Sequence, residues 1–294
     1  MDYRALGAAA ALLSSAAWAL GPVLFRKAGD TVSPLGLNLA KGIIGTVYLG
    51  ILLLIFGFNP VAPRDVALLA LSGILGIAFG DTFFFMGLMR LGPRMAVLIE
   101  TLCPVAAVLM AVALLGERPS HMVWAGIILT TGGVSWVLWE RAPREELKEK
   151  WASGIKFGIL SVLATASGII ITKIAVERVQ PVEATAIRLV FGTIGLLVWG
   201  SAGFRFKNWL SPIKKPGVAM LLAVAVFVSV CLGLLFSVMA LKYTDAAIAV
   251  PLNSTSPLFV LPMAAFVFHE KISPRSFFGA LMSVLGIILI FLNT

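Results

Sequence analysis

Residues 76–139 recur as residues 229–292 at a constant offset of 153, with no gap across the 64 positions. Gly80 falls on Gly233, Phe83 on Phe236, Met86 on Met239, Pro104 on Pro257, Glu117 on Glu270, Gly126 on Gly279 and Gly133 on Gly286. The repeated stretch is almost continuously apolar, and a membrane-crossing helix takes about 20 apolar residues. Ten such segments follow one another near 5–25, 35–56, 66–89, 94–115, 120–139, 154–173, 183–202, 216–241, 244–268 and 275–292. Five fall in each copy, and an odd number of crossings forces the second copy into the membrane from the opposite side. The sequence therefore predicts an all-α polytopic membrane protein, with ten transmembrane helices arranged as two inverted five-helix repeats. Residues 1–140 form the first repeat, 141–153 a linker of alternating Arg, Glu and Lys, and 154–294 the second.

Composition removes most other classes. Sixty per cent of residues are hydrophobic and 13% charged, against about 25% charged in soluble domains. The net charge of +9 does not read as a nucleic-acid surface. Its bases are scattered over short loops, among them Arg26-Lys27, Arg90/Arg94 and Lys214-Lys215, as juxtamembrane topology signals and lipid-headgroup contacts are. Cys103 and Cys231 both fall inside spans and are too few for a structural zinc site. His121 and His269, beside Glu117 and Glu270, read as surface or cap residues, so no metal is expected. There is no Gly-rich phosphate loop and no room for an ATPase domain, and no cofactor is called for.

The first segment has the outline of a signal peptide, with Arg4, an apolar run and Ala17-Trp18-Ala19 as a cleavage-like site. Setting Gly7 on Gly158 puts Ser14 opposite Thr165, so the segment is expected to be retained as the partner of the sixth helix. For orientation, a cytoplasmic N-terminus would put six basic residues on the cytoplasmic side and fifteen on the other. Charge bias thus favours an outside N-terminus.

The run FGDTFFFMGLMRLGPRMAVLIETLCPVAAVLMAVALLGERPS, followed by GIILTTGGV, resembles the drug/metabolite transporter superfamily, specifically its EamA-type ten-helix permeases. The second copy, ALKYTDAAIAVPLNSTSPLFVLPMAAFVFHEKIS with GALMSVLGIILI, fits the same pattern. The shared marks are a mid-helix proline (Pro104, Pro257), a glutamate closing that helix (Glu117, Glu270) and glycines in the next (Gly126, Gly133, Gly279, Gly286). The resemblance implies a multi-pass carrier of the cell (inner) membrane, often an exporter of amino acids or related metabolites, with a cavity between its halves. It also implies cytoplasmic termini, opposite to the charge count.

Ionisable residues at membrane depth are costly, about 2.5–3.5 kcal/mol each on insertion scales, and default to functional roles. Asp81 lies 11 residues before the hairpin apex Gly92-Pro93 and Glu100 lies 8 after Gly92. At 1.5 Å per residue both carboxylates are expected roughly 12–16 Å from one face, near mid-membrane. Such a level pair can share a proton, exchange it for a cation or bind an ammonium group. In the second copy Leu234 replaces Asp81 and Asn253 replaces Glu100.

Lys41 and Arg188 are repeat partners, each seven residues beyond the proline that opens its helix, Pro34 or Pro181. Each begins a polar stripe expected to face the bundle interior: Asn38, Lys41, Gly45, Tyr48 and Thr185, Arg188, Gly192, Gly195. Lys41 either pairs with one of the carboxylates, holds a substrate carboxylate, or snorkels to the interface. Ser14 and Trp18 on helix 1, and Ser161 and Thr165 on helix 6, form polar faces that line a cavity or bond a neighbouring helix. Between Pro251 and Pro257, the run Asn253-Ser254-Thr255-Ser256 is expected to unwind, with Asn253 making the contact. The expected substrate and coupling residues are therefore Asp81, Glu100, Lys41, Arg188, Trp18, Ser14, Asn253 and Thr165, with none catalytic.

These residues predict a secondary transporter, an exporter of a small metabolite such as an amino acid, working by alternating access and coupled to protons, exchange or a gradient. An organic-cation or drug exporter is the alternative, using the acids alone. An intramembrane hydrolase is remote. Gly80-Asp81 is half of the GxGD of intramembrane aspartyl proteases, but Ala78 stands in place of the first Gly. No enzyme activity is expected. The partners are a small molecule, the lipid bilayer and protons, in a monomer or weak homodimer.

Overall fold

The computed structural model describes residues 3–116, 118–140, 147–176, 179–202, 209, 215–243, 252–269 and 273–292. All regular structure among them is helical. The first half runs through α1 (Tyr3–Ala28) and α2 (Pro34–Phe56). A third span follows, made of α3 (Pro63–Gly73), a π-helical stretch (Ile74–Asp81) and α4 (Thr82–Leu91). The fourth span is split into α5 (Pro93–Glu100) and α6 (Cys103–Leu115), and α7 (His121–Glu140) is the fifth. The second half has α8 (Lys148–Val176) and α9 (Pro181–Ala202). Its third member comprises α10 (Pro216–Val226), a π-helical stretch (Phe227–Leu232) and α11 (Gly233–Tyr243). Then come α12 (Ser256–Phe268) and α13 (Pro274–Phe291). Among the described residues nine spans are long and apolar enough to cross a membrane, and α12 is a shorter apolar helix. The predicted segment 244–268 is described only from residue 252, and Glu117 and Glu270 lie outside the described residues.

Proline sets where many helices begin. Pro34, Pro63, Pro93, Pro181, Pro216 and Pro274 each open one, because the missing N–H costs nothing in a first turn and the fixed φ suits it. Ser33 and Ser273 add side-chain caps, accepting from the amides of Gly36 and Ser276. The predicted linker, residues 141–153, overlaps the start of the next helix. Helix α8 starts at Lys148, with Glu149 favourably placed in its first turn.

The repeat is legible in the irregularities as well as the helices. The π-helical stretches begin at Ile74 and Phe227, positions 153 apart. The fourth span breaks at Thr101-Leu102 and the ninth at Ser254-Thr255, again 153 apart. Pro104 and Pro257 cause these breaks, since neither can donate to the carbonyl four residues earlier. The freed turns close on themselves: Thr101 Oγ1 donates to Leu98 O at 2.6 Å and Thr255 Oγ1 to Leu252 O at 2.7 Å.

Helices α7 and α13 cross antiparallel at the pseudo-two-fold axis. A Cβ on Gly126 would lie 2.6 Å from Gly286 O, and one on Gly133 2.6 Å from Gly279 O. One index rises as the other falls, which is the inverted arrangement expected of the two copies. At the centre Thr130 Oγ1 donates to Ser283 O at 3.3 Å, and these two residues are each other's repeat equivalents. Outward faces are apolar. Leu54, Trp139 and Phe266 are each more than four-fifths exposed, as lipid-facing and interfacial residues are.

Candidate functional site

The two halves enclose a cavity of about 540 Å³, within the range of small-molecule sites. Trp18 of α1, Lys41 of α2, Asp81, Glu100, Thr165 of α8 and Arg188 of α9 all line it. Lys41 Nζ donates to Asp81 Oδ2 at 2.6 Å, forming a largely buried ion pair that bridges the second and third spans. Of the roles open to Lys41, the structure selects this pairing. Glu100 accepts from Ser161 Oγ at 2.6 Å, so it is held by α8 rather than by a cation.

The backbone around Asp81 explains how a carboxylate comes to face the cavity there. Residues 74–81 are π-helical, and such a turn leaves carbonyls without their usual partners. Asn38 Nδ2 answers this by donating to Ile77 O at 2.7 Å and to Thr82 Oγ1 at 2.9 Å. The same stretch sits close against the second half. A Cβ on Gly80 would lie 2.7 Å from Thr165 Oγ1, and one on Gly73 would meet the backbone of Arg188. Ser72 Oγ donates to Gly168 O at 2.7 Å. Glycines therefore let the third span lie against α8 and α9 closely enough to bring Asp81, Thr165 and Arg188 to one cavity.

Two expected contacts go elsewhere. Ser14 is fully buried and donates to Gly233 O at 2.8 Å, joining α1 to α11 away from the cavity wall. It takes the helix-bonding role of the two open to that face, because Gly233 exposes its carbonyl at close range. The Asn253 amide donates to Ser237 Oγ at 3.3 Å, while Ser254 and Ser256 face the cavity. In a regular helix those two serines would lie about 200° apart; the break at Ser254-Thr255 brings both to the same side. Sequence reasoning did not single out Pro22 or Ser229 as wall residues. Thr185 belongs to the interior-facing stripe that includes Arg188, and reaches the cavity with it. Gly21 opposite Ser229, where a Cβ would be 2.8 Å from Ser229 Cβ, shows that packing and lining coexist there. Cys103 and Cys231 are both buried and unlinked.

This arrangement of inverted five-helix halves around a largely apolar central cavity with a few charged and hydroxyl side chains agrees with what known proteins show. The model of the EamA-like transporter family matches residues 5–139 and again 152–292. The chain belongs to that family and is a multi-pass membrane transporter. It is 24% identical over 293 residues to an uncharacterized transporter of Archaeoglobus fulgidus, covering 96% of both chains. It is also 24% identical over 291 residues to a protein of Streptantibioticus cattleyicolor named a "probable terminal-alkyne amino-acid exporter", covering 96% of this chain and 92% of that one. A solved crystal structure with 17% identity aligns at a TM-score of 0.63 over 97% of this chain and 95% of its own, a likeness of fold.

Proposed function

We propose that this protein is a secondary transporter that exports a small amino-acid-like metabolite across the cell membrane by alternating access, with protons as the coupling ion. The observation that carries the reading is the central cavity, in which the Lys41–Asp81 pair and Glu100 meet at the seam of two inverted halves. The pair ties the second span to the third at the cavity wall. Glu100 offers a carboxylate that either holds a proton or accepts a substrate ammonium, which makes the two occupancies mutually exclusive. That exclusivity is the elementary requirement for exchange of one for the other across a membrane. The name of the Streptantibioticus relative supports an amino-acid class of substrate. An organic-cation exporter is the second reading, favoured by the absence, among the described residues, of a cation within ion-pair distance of Glu100.

The test is counterflow and gradient-driven uptake in proteoliposomes, screening amino acids and organic cations at two pH values. Substrate accumulation driven by an acidic lumen, absent from protein-free vesicles, is the expected result. Uptake by Asp81→Asn and Glu100→Gln variants with unchanged pH dependence would remove the carboxylates from the coupling mechanism.

A further inference from the structure

The two repeats place the same charge at the same point and then differ in what answers it. Lys41 and Arg188 occupy equivalent positions on α2 and α9. In the first repeat Asp81 meets Lys41 at 2.6 Å. The position equivalent to Asp81 is Leu234, which also lines the cavity. Arg188 is therefore a cation whose own repeat has no acid at the position that answers Lys41 in the other, and Asp81 across the cavity is already paired with Lys41. Among the described residues no carboxylate lies within ion-pair distance of it, and its buried Nε has no hydrogen-bond partner. Gly76 makes room for the guanidinium, whose Nη2 would stand 3.2 Å from a Cβ at that position.

A buried, unbonded donor on a guanidinium is unfavourable until an acceptor reaches it. The planar fork of Nε and Nη presents paired donors that match a carboxylate. We infer that Arg188 is the docking point for a carboxylate of the transported molecule, which supplies to the second repeat the acid that Asp81 supplies to the first. Lys41 is already neutralised and is not that anchor. With Glu100 held only by Ser161, the cavity offers one open cation site and one open anion site. That pattern fits a zwitterion with separated ammonium and carboxylate, and it disfavours a simple amine. The inference rests on the transport reading and narrows it to carboxylate-bearing substrates.

The experiment measures thermal stabilisation of the purified full-length protein by the proteinogenic amino acids, each beside its decarboxylated amine, for instance L-leucine beside 3-methylbutylamine. At least one amino acid is expected to stabilise the wild type while its amine does not. Arg188→Gln should weaken that response by at least about tenfold, the worth of a charge-assisted contact. Arg188→Lys should recover part of it. Leu234→Asp, which puts the missing acid back across the cavity, should also suppress it, and this variant decides the matter if Arg188→Gln does not fold. Stabilisation by amines alone, no response to any amino acid, or an undiminished response in Leu234→Asp and in folded Arg188→Gln would each overturn the inference. Reconstitution separates the two readings. Vesicles that move amines but no carboxylate leave transport standing and remove the Arg188 role. Arg188-dependent binding without movement across vesicles does the reverse.

Discussion

The two five-helix halves share a scaffold and differ in their charges. At the crossing of α7 and α13 the halves treat each other as equals: Gly126 against Gly286, Gly133 against Gly279, Thr130 bonded to Ser283. At the cavity they do not, because Lys41 has Asp81 within ion-pair distance while the position equivalent to Asp81 in the repeat of Arg188 is Leu234. Duplicated elements that contact their own counterparts stay symmetric, since a change in one must suit the other. The cavity wall is free of that constraint, and one half can carry the acids alone. Symmetry therefore marks the scaffold of this transporter, and asymmetry marks its candidate site.

That contrast can be broken most severely at the crossing. Gly126→Leu and its repeat counterpart Gly279→Leu should be about equally damaging, because each drives a side chain into a backbone carbonyl or helix that cannot yield. Overpacking of this kind costs about 1–3 kcal/mol where neighbours can shift and more where they cannot. Loss of a monodisperse peak on size exclusion and a lowered melting temperature would report it; tolerance of one but not the other would remove the claim of scaffold symmetry.

The charges should behave oppositely. Asp81→Asn strands Lys41 in the cavity, and leaving one member of a buried pair uncompensated costs about 3–5 kcal/mol; transport is expected to fall about tenfold or more. Leu234→Asn at the equivalent position should have a much smaller effect. Comparable losses from both, measured as initial uptake rates at matched protein density, would mean that the acid's position matters less than its pairing implies.

Glu100→Gln tests coupling. Glutamine keeps the size of the side chain and cannot release or take a proton. Acceleration of uptake by an acidic lumen should therefore disappear while exchange at equal pH persists. A variant that still responds to the gradient would transfer the coupling role to Asp81.

The smallest effect is expected at Ser14. Ser14→Ala leaves the Gly233 carbonyl without its buried donor, a loss of about 1 kcal/mol, and transport per folded molecule should stay near wild type. A specific transport defect would return Ser14 to the substrate path.

The legibility of these regions in sequence follows their physics. Lys41, Asp81, Glu100 and Arg188 could be picked out because charge at membrane depth is expensive wherever it occurs. Ser14 and Asn253 could not be assigned reliably, since a hydroxyl or amide on a helix face serves a neighbouring helix as readily as a cavity. Ser254 and Ser256 were hidden by the break between them, where the angular arithmetic of a regular helix no longer applies.

The amino-acid sequence alone determined the apolar segments, their inversion and, between Pro251 and Pro257, one place where a helix gives way. An odd-numbered apolar repeat, its prolines and its glycines act through local backbone chemistry and the thickness of the bilayer. Only the tertiary structure decided that Lys41 answers Asp81, that Glu100 answers Ser161 and that Arg188 is left open to the cavity. Those outcomes depend on which helices lie side by side, and on how the π-helical and broken segments turn their side chains toward one another.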